Sequence, residues 1–357
     1  MKVGTSSLTD AHGELAPAAL TKLCADIASA RVAGHEIVLV SSGAIAAGLP
    51  ALGLERRPAD VGMLQAVAAV GQPLLMERIG TTLADHDLVA GQVLLTPYDF
   101  IQRAQYLHAR ATLRRLLDLG VVPVVNENDT IADDEIRYGD NDRLAALVSH
   151  LVAADVLCML TDQPGVLSSD PRVDAGASLI EEIAEIDAAL ESVVGGAGTE
   201  RGSGGMASKL AAAKIAAWSG VRAVIAAANV PDVVAGAIDQ RPIGTVVHAR
   251  ETRLPSRKLW IAFARGATGR IVVDEGAEGA LRHDGRSLLP AGVRGVEGAF
   301  GPDEAVEVVG EGGAVFAKGL VRYSAAALQA VAGHRTSDLP EGTPHEVIHR
   351  DDLVVLP

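Results

Sequence analysis

Aromatic residues are scarce: Phe, Trp and Tyr make up 3% of the 357 positions, too few to supply stacking platforms for single-stranded bases. Cysteine is almost absent. The two thiols, Cys24 and Cys158, both in apolar surroundings, support neither a disulfide framework nor a tetrahedral metal site and read as buried thiols. Positive charge is in deficit, with 31 Lys and Arg against 45 Asp and Glu and a net charge of −14, which disfavours nonspecific binding to nucleic acid. No apolar run reaches the roughly 18 to 20 residues of a membrane helix; the most apolar stretch, Leu144 to Leu160, is cut by His150 and Asp155. The opening Met1-Lys2-Val3-Gly4 lacks the apolar core and cleavage site of a secretory signal, so the chain reads as soluble and cytoplasmic. Several catalytic patterns are missing too. The ten His show no HExxH spacing, Ser41-Ser42-Gly43 is not a GxSxG elbow, and no Gly immediately precedes Lys209, so there is no Walker P-loop.

What is present is enough apolar content, 48%, to bury real cores over a length that suggests two domains. Apolar strands at Glu36–Val40, Gly91–Leu95, Val121–Val125, Asp155–Leu160 and Ala223–Ala227 alternate with helical patterns at Leu20–Ile27, Asp60–Leu83, Tyr98–Leu119, after Asn141, and after Met206. Such alternation implies right-handed crossovers and a mainly parallel sheet in a three-layer α/β sandwich. From about Pro255 the texture changes. Short segments at Trp260–Phe263, Gly269–Val273, Gly292–Val296, Ala305–Val309 and Ala314–Leu320 read as strands between glycine turns, with one helix-like run, Ser324–Ala332. The expected organisation is a domain over residues 1–250, a linker at Ala249 to Arg257, and a small mainly-β domain over 258–357. From Pro255 onward the chain carries 11 Lys and Arg against 14 Asp and Glu and no basic stripe, so RNA binding through this part is disfavoured.

One stretch organises the rest. Val121 to Arg143, VVPVVNENDTIADDEIRYGDNDR, runs from an apolar strand into a segment holding three Asn and five Asp. Ligand crevices of open α/β sheets lie outside the carboxyl ends of strands, where Asn126, Asn128 and Asp129 fall. Carboxamide and carboxylate together suit a small zwitterion, since Asp accepts from an ammonium while Asn can donate to a carboxylate; each of these residues alone is equally accounted for by turn formation. Asp140 or Asn141 could cap the following helix. Further polar strand ends are Lys2 to Ser7, Ser41 to Gly43, and Thr161-Asp162. The loop Gly195 to Gly205, entering a helix with Lys209 near its start, suits phosphate or is a flexible linker. Two lysines, Lys2 and Lys209, would suit a phosphoryl transfer whose transition state spreads negative charge over oxygens.

Lys2-Val3-Gly4-Thr5-Ser6, Ser41-Ser42-Gly43-Ala44-Ile45, Asn126-Glu127-Asn128-Asp129, Gly139-Asp140-Asn141-Asp142, Leu160-Thr161-Asp162 and Gly204-Gly205-Met206 with Lys209 resemble, in this order, the motifs of the amino acid kinase family, and within it those of the glutamate 5-kinases. The C-terminal part resembles the PUA domain appended to many bacterial members, so the likeness covers nearly the whole chain. The resemblance implies ATP-dependent phosphorylation of the L-glutamate side-chain carboxylate, the first step of proline biosynthesis. It assigns Lys2 and Lys209 to the transferring phosphoryl group and Asp142 to orienting them. Ser42, Asp129 and Asn141, with Asn126 nearby, would hold glutamate. Lys2, Thr161, Asp162, Ser203, Gly204, Gly205, Met206, Ala207, Ser208 and Lys209 would contact ATP. It implies no metal ligand from the protein, Mg²⁺ arriving with the nucleotide. Dimers or tetramers and feedback inhibition by proline are further expectations. The alternatives are another acyl or carbamate kinase of the same fold, or an RNA-binding protein acting through the PUA-like part. One departure stands out: the family carries several apolar residues before the first Lys, and here only Met1 precedes it, so the first strand is expected to be a stub or its start truncated.

Overall fold

The apolar runs that end in polar clusters lie side by side in one eight-stranded sheet. The structure, a computed structural model, describes residues 1–10, 13–100, 102–131, 141–169, 174, 176–195, 205–264, 266–340 and 342–356. The strands of the large sheet are β1 (Lys2–Val3), β2 (Leu39–Ser41), β3 (Ala90–Leu95), β4 (Val122–Glu127), β5 (Val156–Thr161), β6 (Glu182–Ile183), β7 (Arg222–Ala227) and β8 (Gly244–Val247). Their spatial order is β3-β4-β2-β1-β5-β7-β8-β6. All neighbours pair in parallel except β7 and β8. The helices of this unit are α1 (Thr5–Leu8), α2 (Pro17–Val32), α3 (Ala44–Ala51), α4 (Val61–Ala84), α5 (Arg103–Asp118), α6 (Asn141–Leu151), α7 (Ala188–Gly195), α8 (Met206–Trp218) and α9 (Val233–Ile238).

Strands β4 and β5 are apolar throughout their middles because both of their faces are covered, as in parallel sheets generally. Cys158 and Leu160 of β5 and Val224 and Ala226 of β7 share one core with α2, α4 and α9. Leu157 and Met159, pointing to the opposite face by strand alternation, are equally buried. On that side α6 and α8 pack on each other and against β5. Cys24 and Cys158 are free and buried, and burial pushes their thiols up to about 12 and about 11, so neither is a ready nucleophile.

Helix α4 begins where Asp60 Oδ2 accepts the Met63 N–H at 2.8 Å, an N-cap that satisfies one otherwise orphaned donor. It crosses α3 at very close range: a Cβ on Gly71 would overlap the Ala44 carbonyl oxygen, and one on Gly48 the Val67 carbonyl oxygen. Only glycine permits that approach, and it brings Gln72 inward beside the carboxyl ends of the strands.

The chain divides by its contacts into Met1–Arg253 and Leu254–Pro357. The second unit holds β9 (Gly269–Val273), β10 (Val293–Gly298), β11 (Ala305–Val309), β12 (Val315–Leu320) and β13 (Leu353–Val355), ordered β10-β9-β11-β12-β13. Its helices are α10 (Ser256–Leu259), α11 (Glu275–His283) and α12 (Ala325–Val331). Ile271, Val308, Phe316 and Leu328 are among the residues of its separate core.

Three details differ from the sequence reading. Trp260–Phe263 is helical: α10 starts after Pro255 and runs into a wide π turn, Trp260–Ala264. Its apolar run is buried on several sides, so it lacks the period that separates helix from strand. The Gly- and Ala-rich segment 275–283 is the helix α11, fixed by Asp274 Oδ1 accepting the Ala277 N–H at 2.8 Å and by Glu in its first turn and Arg in its last. Finally, β6 and β8 extend the large sheet and β13 the smaller one, none of them among the strands expected.

Candidate active site

The four polar strand ends converge at the carboxyl edge of β1, β2, β4 and β5. Lys2, on the two-residue strand β1, places its Nζ 2.6 Å from Asp142 Oδ1, and Lys209, in the first turn of α8, places its Nζ 3.2 Å from Asp142 Oδ2. Asp142 sits in the first turn of α6 and also accepts from Ser208 Oγ at 2.8 Å. All three charged side chains are buried, with Asp142 only 1% exposed. Burial pushes the Asp142 carboxyl upward, but the Lys2 and Lys209 ammoniums and the Ser208 hydroxyl together outweigh it and hold the group below the ordinary carboxylate range. Two cations around one anion leave a buried net positive charge, which suits an anionic group in transfer.

The neighbouring residue, Asn141, opens a second arrangement. Its Nδ2 donates to Ser42 Oγ at 2.9 Å, to Asn126 Oδ1 at 2.9 Å and to the Ser41 carbonyl at 3.4 Å. Asn126 Oδ1 also accepts the Glu127 N–H at 2.9 Å, and Asn126 Nδ2 donates to Gln72 Oε1 at 2.8 Å. Gln72 Nε2 in turn donates to Gln92 Oε1 at 3.2 Å. Asn141 Oδ1 is buried and has no hydrogen-bond partner among the described residues, so an acceptor stands ready for a donor from a ligand. The Ser41-Ser42 turn is held by Gly43 at φ 113°, a left-handed conformation that strains any side chain.

Asp129 is not part of that chain. It lies with Gln72, Gln92, Asn128 and Pro73 on a cavity of about 250 Å³. Burial pushes its carboxyl up to about 6, with Arg57 offsetting part of the rise. Thr161 and Asp162, joined by a 3.0 Å hydrogen bond, line a different cavity of about 320 Å³ together with Ser6, Ser7 and Asn229. Of the loop expected to meet ATP, Ser203 and Gly204 lie outside the described residues, as do Asp133, Asp134 and Asp140. Gly205 is the N-cap position of α8, and Met206, Ala207, Ser208 and Lys209 form its first turn. Among the described residues, no group of three His, Cys, Asp or Glu could hold a metal ion, and no helix is long and apolar enough to cross a membrane.

Residues 1–227 match the model of the amino acid kinase family. The chain belongs to the amino acid kinase family. Residues 269–342 match the PUA domain. Among its relatives, the glutamate 5-kinase of Methylobacillus flagellatus is 44% identical over 100% of this chain and 97% of its own length. That of Azoarcus sp. is 46% identical over 99% of this chain and 96% of its own. The solved carbamate kinase from Giardia lamblia bound to AMP-PNP is similar in fold, with a TM-score of 0.51 at 16% identity, covering 70% of this chain and 97% of that one. Within this amino acid kinase, the sequence reading missed Gln72 and Gln92. Gln72 lies mid-helix in an otherwise apolar run, and its only signal is that a polar side chain occupies a core-facing position beside Gly71.

Proposed function

We propose that this chain transfers the γ-phosphoryl group of ATP to the side-chain carboxylate of L-glutamate, giving L-glutamyl 5-phosphate and ADP, the first step of proline biosynthesis. The observation that carries the reading is Asp142 holding two buried lysines next to Asn141, in a chain whose full-length relatives are glutamate 5-kinases. A carboxylate oxygen of glutamate attacks the γ-phosphorus, and the bond from phosphorus to the bridging oxygen of ADP breaks. No proton needs to move, because the attacking group is already ionised. Catalysis is then positioning and charge stabilisation.

In this reading Lys2 and Lys209 stabilise the equatorial phosphoryl oxygens, and Asp142 fixes both ammoniums without neutralising them. Asn141 Oδ1 and Asp129 accept from the substrate ammonium, and Ser42 and Asn126 complete the glutamate end. Thr161, Asp162 and residues 203–209 serve the nucleotide. Asp142 is engaged by both lysines, so Mg²⁺ comes with the nucleotide, where it neutralises phosphate charge. Proline carries the same ammonium and α-carboxylate as glutamate, so feedback inhibition at the glutamate end is part of the reading, as is a homo-oligomer. The test is ADP release with L-glutamate, L-aspartate, N-acetylglutamate and carbamate, with a proline titration. The expected result is turnover with L-glutamate and a glutamate KM that rises with proline; turnover with another acceptor and none with glutamate would sink the reading.

A further inference from the structure

The hydrogen bonds from Asn141 to Gln92 all run in one direction, and main-chain groups set that direction. A backbone N–H can only donate, so the Asn126 atom that accepts from Glu127 is its oxygen. A carbonyl can only accept, so the Asn141 atom facing Ser41 O is its nitrogen. The remaining polarity follows: Asn141 donates to Asn126, Asn126 to Gln72, and Gln72 to Gln92. The oxygen of Asn141 is thereby left as a buried acceptor with no hydrogen-bond partner among the described residues. Gln72 is the hinge of this order. Among the described residues it is the acceptor of the buried Asn126 Nδ2, and the close Gly71–Gly48 crossing sets the position of its helix. If Gln72 could not accept, the buried Asn126 Nδ2 would lose its acceptor, and the order would rest on the Glu127 N–H and on the long 3.4 Å contact of Asn141 Nδ2 with the Ser41 carbonyl, a looser hold on the Asn141 amide.

We propose that Gln72 is a positioning residue for the substrate ammonium: by accepting from Asn126 it holds Asn141 with Oδ1 toward the ligand. The proposal rests on the glutamate-kinase reading and adds a residue from α4 that acts through Asn126. It acts on binding at the glutamate end and leaves the lysine cluster unaltered.

The experiment is steady-state kinetics of the full chain carrying Gln72→Met, Gln92→Ala, Asn126→Leu, and Gln72→Met with Asn126→Leu. Losing an acceptor for a buried donor should raise the glutamate KM of Gln72→Met about tenfold or more, with the ATP KM within about twofold of the parent. Because Gln72 acts through Asn126, the double variant should match Asn126→Leu within about twofold rather than multiply the two effects. Gln92 is exposed, so Gln92→Ala tests the chain even if Gln72→Met fails to fold, and an increase in glutamate KM of about threefold is expected. A glutamate KM unchanged in both Gln72→Met and Gln92→Ala overturns the proposal, as does full multiplication in the double variant. A parent enzyme that does not use glutamate fails the underlying reading instead.

Discussion

Asp142 is the residue on which most depends, because its carboxylate is shared by two buried ammoniums. Removing one partner from a buried charge cluster leaves the others unpaired, which costs about 3–5 kcal/mol. Asp142→Asn is therefore expected to lower the denaturation midpoint by a corresponding amount while also depressing kcat; a midpoint equal to that of the parent would show that the lysines do not need it. Its folded carboxyl is held below the ordinary range, so its contribution is present above about pH 4 and lost only as pH falls through the lowered value. Asp129 behaves oppositely. With its carboxyl pushed up to about 6, it becomes protonated as pH drops below that value and ceases to offer charge to an ammonium. The glutamate KM should climb as pH falls from 6 to 5, by up to about tenfold per unit, while the ATP KM stays level. A glutamate KM flat from pH 8 to 5 would remove Asp129 from the substrate end.

At the scale of elements, short side-chain caps mark where α4, α11 and α12 begin. Asp60 caps the 24-residue α4, whose first turn contains no acidic residue to share the task. Asp60→Ala should lower stability by about 1 kcal/mol with kinetic constants little changed, measured by chemical denaturation beside the glutamate assay. Asp274 and Ser324 cap α11 and α12 in the same manner. These details also explain what could and could not be read in advance. The strands β4, β5 and β7 were legible because a strand buried on both faces is a continuous apolar run. Trp260–Phe263 was not legible, since an apolar run of that length fits a buried helix equally well. Segment 275–283 was missed because its glycines resemble a turn, although the cap and charge order were present in the sequence.

At the scale of the whole molecule, two units each enclose their own core, and every residue named at the candidate active site lies in the first. The C-terminal sheet has five strands, one of them, β13, formed by the last few residues and unread in the sequence. The sequence by itself determined the alternation of strand and helix, the change of texture near residue 255, and which polar residues follow strand ends. Those are local properties, set by periodicity, glycine and turn chemistry within a few residues. Only the tertiary structure decided that Lys2, Asp142, Ser208 and Lys209, spread over more than two hundred positions, meet around one carboxylate. It alone also decided that Gln72 of α4 enters the amide chain, because that depends on two helices crossing at glycines and on a strand order no local pattern encodes. Nearby residues fix the direction of each chain segment, but distances between segments follow from packing, and the chemistry of this site depends on those distances.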